Sequence, residues 1–184
     1  MQALPNILTV ARTVAAPFVL LAFSAFERPA ADWVAFVLFT GAAATDWFDG
    51  WLARRYGSAS GFGKMLDPIA DKAIVAIALA ALLGLHGLSL WLTLPVAVIL
   101  LRETLVSGLR EYLKGAEVLS VTGLAKWKTT VQLVAISLLL IAGPLGPAMF
   151  WTGVAALWLA AALTAATGWD YFSKGIAHIR RQEA

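Results

Sequence analysis

The strongest constraint in this chain is a pair of long uncharged runs: Ala73 to Leu101 and Thr129 to Trp169 contain no Asp, Glu, Lys or Arg. Each is longer than the roughly 20 apolar residues that cross a bilayer as a helix. The second run is broken by GPLGP at 143–147, whose prolines and glycines mark a tight turn between two spans. Composition agrees, with 60% hydrophobic and 14% charged residues against the roughly 25% charged of soluble domains. The chain therefore reads as a single all-α integral membrane domain over 1–184, with helices expected at about 5–26, 31–54, 64–85, 88–112, 124–142 and 148–172. Arg12 interrupts the first apolar run and no small-residue cleavage site follows it. The first helix is accordingly expected to be retained, with a short interfacial start over Met1 to Pro5.

Orientation follows from the basic residues, which favour cytoplasmic flanks. Every Lys and Arg except Arg28 falls near the start of helix 1, the 2/3 turn, the 4/5 turn or the C-terminal tail, so both termini are expected in the cytoplasm. The net charge of +3 is explained by that topology and gives no support to nucleic-acid binding. Cysteine is absent, which excludes disulfides, thiolate metal sites and cysteine catalysis. The eight tryptophans suit interfacial belts and packing, and the basic tail from Lys174 to Arg181 suits anionic lipid.

Between helices 2 and 3 lies the exception to all this apolarity, TDWFDGWLARRYGSASGFGKMLDPIADK at 45–72. Residues three or four apart share a helix face, so Asp46, Asp49, Gly50 and Ala53 lie together on helix 2, and Gly63, Asp67 and Asp71 on helix 3. A short Gly- and Ser-rich turn makes the pair antiparallel, and the two faces can meet. Four converging carboxylates need cations. One reading is a structural ion-pair network with Arg54, Lys64 and Lys72. The other is a hard divalent cation, because oxygen-only ligands without His or Cys suit Mg²⁺ or Mn²⁺ rather than zinc. Two such ions about 3.5 to 4 Å apart are the usual arrangement for phosphoryl chemistry. Gly50, Ala53 and Gly63 leave space on the same faces, either for close helix packing or for a flat ligand. A carboxylate-lined cation transporter also places Asp in spans and is the alternative of a different class.

The string DWFDGWLARRYGSASGFGKMLDPIAD matches DxxDGxxAR, eight residues, then GxxxDxxxD at every fixed position. This resembles the signature of the CDP-alcohol phosphotransferases, integral membrane enzymes that displace CMP from a CDP-linked substrate with an alcohol. The resemblance implies that Asp46, Asp49, Asp67 and Asp71 hold two divalent ions, Mg²⁺ or Mn²⁺, and that Asp71 also serves as general base. It implies that Gly50, Ala53, Arg54 and Gly63 border the cytidine diphosphate together with Asp49. Asn6, Thr9 and Arg12, polar at three-residue steps on helix 1, are expected either at the nucleotide and lipid phosphate or as caps and interfacial anchors. Homodimers are usual in the family, and the site is expected to face the cytoplasm at a bacterial inner membrane.

The segment RETLVSGLREYLKGAEVLSVTGLAKWKTTVQ, 102–132, carries Arg102, Arg110, Lys126 and Lys128. Some of these charges fit positive-inside flanks that snorkel toward lipid phosphate. Arg102 lies eight residues from Arg110, about 12 Å along a helix, and should sit below the interface; an ionisable residue there is a functional candidate. Glu103 and Arg110 could pair, leaving Arg102 free. A cationic pocket suits a phosphorylated alcohol better than a neutral one. PNILT with ARTVAAPFV, DPIADK and the RETLVSGLRE to GLAKWKT run resemble members of the family that make phosphatidylglycerophosphate, apart from Ala125 where Gly is expected. The substrates implied are CDP-diacylglycerol and sn-glycerol 3-phosphate, with the acceptor phosphate on Arg102, Arg110 and Lys126. Cardiolipin synthase or phosphatidylinositol phosphate synthase chemistry is the alternative acceptor choice.

Overall fold

A computed structural model of the chain describes residues 3–56, 61–113 and 123–182, without the side chains of 3–6, 46–56, 62, 64, 123–126 and 182. The described residues are helical apart from short turns. The helices are α1 (Ala3–Ala25), α2 (Ala30–Tyr56), α3 (Gly61–His86), α4 (Leu90–Tyr112), α5 (Gly123–Leu140), α6 (Ala142–Leu145) and α7 (Pro147–Gln182). Four are long and apolar enough to cross a membrane, over Ile7–Ala25, Met65–His86, Leu90–Tyr112 and Pro147–Arg181. Shorter apolar helical stretches run over Ala30–Thr45 and Trp127–Leu140. This is a multi-pass membrane protein.

The turns form where the backbone demands it. Gly87 (φ +76°) ends α3 and Gly146 (φ +87°) separates α6 from α7, both in a region that side chains with Cβ atoms rarely enter. The turn expected at 143–147 is thus a single helical turn closed by Gly146. Met1 to Pro5 was expected to be interfacial; Ala3 to Pro5 form the first turn of α1, where proline costs no helical hydrogen bond. The C-terminal helix runs ten residues beyond the expected 172, to Gln182. Two features sustain it: the Lys174–Asp170 ion pair (2.7 Å), and Gly175, where a Cβ would lie 2.7 Å from Leu109 Cδ2.

The helices sort into two compact units, one of residues 1–88 with 136–153, the other of 89–135 with 154–184. In the first, α1 packs along both α2 and α3, which meet each other less. The buried positions recur every three or four residues: Ala16, Val19 and Ala22 on α1, Ala31, Ala35 and Phe39 on α2, Ala70, Ile74, Ala78 and Leu82 on α3. The many alanines let the helix backbones approach closely. The opposite face of α1 exposes Ile7, Val10, Val14, Phe18 and Leu21, an apolar stripe matched to lipid rather than water.

The second unit has its core in Leu92, Val96 and Ile99 of α4 and Leu157, Ala160 and Ala161 of α7. Pro95 cannot donate to the carbonyl four residues back, that of Trp91. The Trp158 indole N–H donates to that carbonyl at 3.0 Å.

Candidate active site

In the first unit, the N-terminal half of α3 carries Asp67 and Asp71 one turn apart on the face packed toward α1. From α1, Arg12 Nη1 lies 3.4 Å from Asp67 Oδ1 and forms a second ion pair with Asp71 Oδ1. Thr9 Oγ1, one turn before Arg12, lies 3.5 Å from the same Asp67 oxygen, at the long limit for a hydrogen bond. The Arg12 side chain is 1% exposed, whereas those of Asp67 and Asp71 are 47% and 46% exposed. A buried guanidinium therefore anchors two carboxylates that are each about half exposed. Among the described residues nothing bonds to Asp67 Oδ2.

Among the described residues Arg12 lies against both Asp67 and Asp71; the side chains of Arg54 and Lys64, expected counter-charges together with Lys72, lie outside the described residues. The signal for Arg12 was its place within an apolar span, where a charge requires a partner. The side chains of Asn6, Asp46, Asp49, Gly50, Ala53, Arg54 and Lys126 lie outside the described residues, although all seven positions are helical. Gly63 is described and sits one turn before Asp67 on α3. Among the described residues no three His, Cys, Asp or Glu groups converge. The donors that are described suit a hard divalent cation: two half-exposed carboxylates on one helix face, with Asp67 Oδ2 uncommitted.

In the second unit, the cationic residues of α4 and α5 form a network with α7 that runs from the buried Lys128 to the exposed Arg110. Lys128 and Arg102 both pair with Glu103 Oε1, Arg102 at 3.3 Å. Arg102 Nη2 also donates to Thr167 Oγ1 at 3.2 Å. Arg110 Nη2 donates to the Tyr171 hydroxyl at 2.9 Å. The expected pairing of Glu103 with Arg110 does not occur, and Arg102 is not free. Glu103 lies two helical turns from Arg110 but beside Arg102, and α5 delivers Lys128 to it. Among the described residues, Lys128, Arg102 and Arg110 stand with one carboxylate, Glu103, so these four side chains carry a net positive charge. Sequence reasoning missed Thr164, Thr167 and Tyr171 on α7, although polar residues at helical spacing in an apolar span are a usable signal.

The scaffold is a helical multi-pass membrane protein with two half-exposed carboxylates on α3 in one unit and two guanidiniums against Tyr171 in the other. The chain belongs to the CDP-alcohol phosphatidyltransferase family, whose sequence model matches residues 2–166. It is a phosphatidyltransferase of that type, and the family generally depends on a divalent metal. It is 46% identical to a CDP-diacylglycerol–glycerol-3-phosphate 3-phosphatidyltransferase of Cereibacter sphaeroides, over 98% of both chains. Proteins of the same name are 43% identical in Rickettsia bellii, over 92% of this chain and 93% of that one, and 38% identical in Escherichia coli, over 97% and 98%.

Proposed function

We propose that the protein transfers the phosphatidyl group of CDP-diacylglycerol to sn-glycerol 3-phosphate, giving phosphatidylglycerophosphate and CMP. The observation that carries this reading is the pair of half-exposed carboxylates at the head of α3, held from behind by a buried arginine. The signature around them and the relatives' shared name support it. Asp46, Asp49, Asp67 and Asp71 would hold two divalent ions, Mg²⁺ or Mn²⁺. When bound, such ions neutralise the diphosphate and the charge that develops on departing CMP. Asp49, Gly50, Ala53, Arg54, Gly63, Asn6 and Thr9 border the nucleotide.

Asp71 takes the proton of the acceptor hydroxyl as its oxygen bonds to the phosphatidyl phosphorus, and the bond from that phosphorus to the bridging oxygen breaks to release CMP. Arg102, Arg110 and Lys126 hold the acceptor's phosphate. The net positive cluster on α4 and α5 suits a phosphate dianion and has no counterpart to recognise in a neutral alcohol. Arg12 serves as the counter-charge of Asp67 and Asp71 through Nη1, and a lipid phosphate is its proposed second partner.

Six spans, α1 to α5 and α7, are the proposed topology in a bacterial inner membrane, and the placement of Lys and Arg supports both termini and the site on its cytoplasmic side. The helices form one transferase domain, and the working form is a homodimer.

Purified protein given CDP-diacylglycerol, Mg²⁺ and separate acceptors tests the reaction through CMP release. Glycerol 3-phosphate should be the productive acceptor. CMP release with phosphatidylglycerol or inositol phosphate instead, and none with glycerol 3-phosphate, rejects the acceptor assignment. Asp71→Asn should abolish turnover while retaining nucleotide binding.

A further inference from the structure

We propose that Tyr171 of α7 is a positioning residue that sets the aim of Arg102 and Arg110 toward the acceptor's phosphate. The inference rests on the reading of those two arginines given above. Tyr171 is buried, and both guanidiniums lie against its ring, with Cζ of Arg102 5.6 Å and Cζ of Arg110 4.9 Å from the centroid. Its hydroxyl takes a hydrogen bond from Arg110. One turn earlier, Thr167 accepts from Arg102. Between the two, Gly168 makes room for the arginine stem, since a Cβ there would lie 2.7 Å from Arg102 Cγ. One face of α7 is thus shaped to two arginines of α4.

The arrangement has a chemical purpose. Two guanidiniums on one helix repel each other, and a long side chain without partners would be free to swing. An aromatic face attracts cations without neutralising them. Glu103 already takes Arg102 Nη1, and a second carboxylate in place of Tyr171 would cancel more of the charge a phosphate needs. Among the described residues Arg110 commits one N–H group, to Tyr171, and keeps the rest of its fork for a bidentate phosphate contact. Holding the fork in place before the ligand arrives lowers the ordering cost of binding. A tyrosine present only to fill space would do none of this.

The test compares Tyr171→Phe, Tyr171→Leu, Arg102→Ala and Arg110→Ala in purified full-length protein, measuring kcat and the KM of each substrate. Tyr171→Phe keeps the ring and loses one hydrogen bond, so the glycerol 3-phosphate KM should rise about threefold to tenfold while the CDP-diacylglycerol KM stays fixed. Tyr171→Leu should raise it further. If both arginine variants raise the acceptor KM and neither Tyr171 variant does, Tyr171 is not a positioning residue. Equal increases in both KM values for Tyr171→Phe reduce it to a packing role and also overturn the proposal. If Tyr171→Leu fails to fold, Tyr171→Phe decides alone. If neither arginine variant changes the acceptor KM, the phosphate pocket lies elsewhere and the inference falls with it.

Discussion

Replacing Glu103 with glutamine tests the energetics of the α4–α5–α7 cluster most directly. The substitution keeps shape and removes one charge. Glu103 is the shared partner of Lys128, whose side chain is 7% exposed, and of Arg102. Breaking a buried ion pair from one side costs about 3–5 kcal/mol, because the remaining charge stays desolvated without its partner. Glutamine still accepts a hydrogen bond, so the lower end, about 3 kcal/mol, applies here. At roughly 2–4 °C per kcal/mol for a chain of this size, the thermal midpoint should fall by about 6–12 °C. The assay is far-UV circular dichroism in detergent micelles at one fixed scan rate. A second substitution, Lys128→Met, removes the stranded charge, so the double variant should recover at least half of the loss. A single variant that shifts by less than about 2 °C would refute the reasoning. So would a double variant no more stable than the single.

Three further outcomes are expected. Trp158→Phe removes the donor to the Trp91 carbonyl and should cost about 1 kcal/mol; in a Pro95→Ala background, where alanine supplies the helical N–H, thermal melts should show a smaller loss. Gly143→Ala places a Cβ 2.9 Å from both Arg28 Cζ and Asp32 Oδ2, pushing Arg28 into solvent and stranding the buried Asp32 at a cost of about 3 kcal/mol. Melts should then show a much smaller penalty for Gly143→Ala in an Asp32→Asn background, and an equal penalty would count against the clash. Arg12→Met removes the counter-charge of Asp67 and Asp71, so titrating Mg²⁺ should raise its melting midpoint more steeply than that of the parent; parallel titrations would show that Arg12 and the cation do not share those carboxylates.

Much of the scaffold was legible because membrane helices announce themselves in one dimension. Apolar length gave α1, α3 and α4 to within a few residues, and the Pro/Gly cluster at 143–147 located the break before α7. The end of α7 was not legible. Lys174 to Arg181 look like a polar tail by composition, and Gly175 looks like a helix stop. Only the fit of Gly175 against Leu109 explains why a residue poor in helix propensity continues the helix instead.

The candidate site divides along the same line. Asp67 and Asp71 share a face because they are four apart, a relation that lives within a single helix and can be read by counting. Arg12 meets them because α1 packs on α3, and Tyr171 meets Arg102 and Arg110 because α7 packs on α4; no periodicity encodes either encounter. What the sequence does record is an energetic anomaly at each place. A lone arginine in the first apolar run, and Thr167 and Tyr171 one turn apart on the last helix, are groups that hydrocarbon would reject without partners. The useful rule for such a chain is to treat every polar residue inside a span as half of a contact and to seek the other half among the opposite charges and donors of the other spans. Applied here, it points Arg12 toward the aspartates and Thr167 and Tyr171 toward the arginines, encounters that spacing within one helix does not reveal.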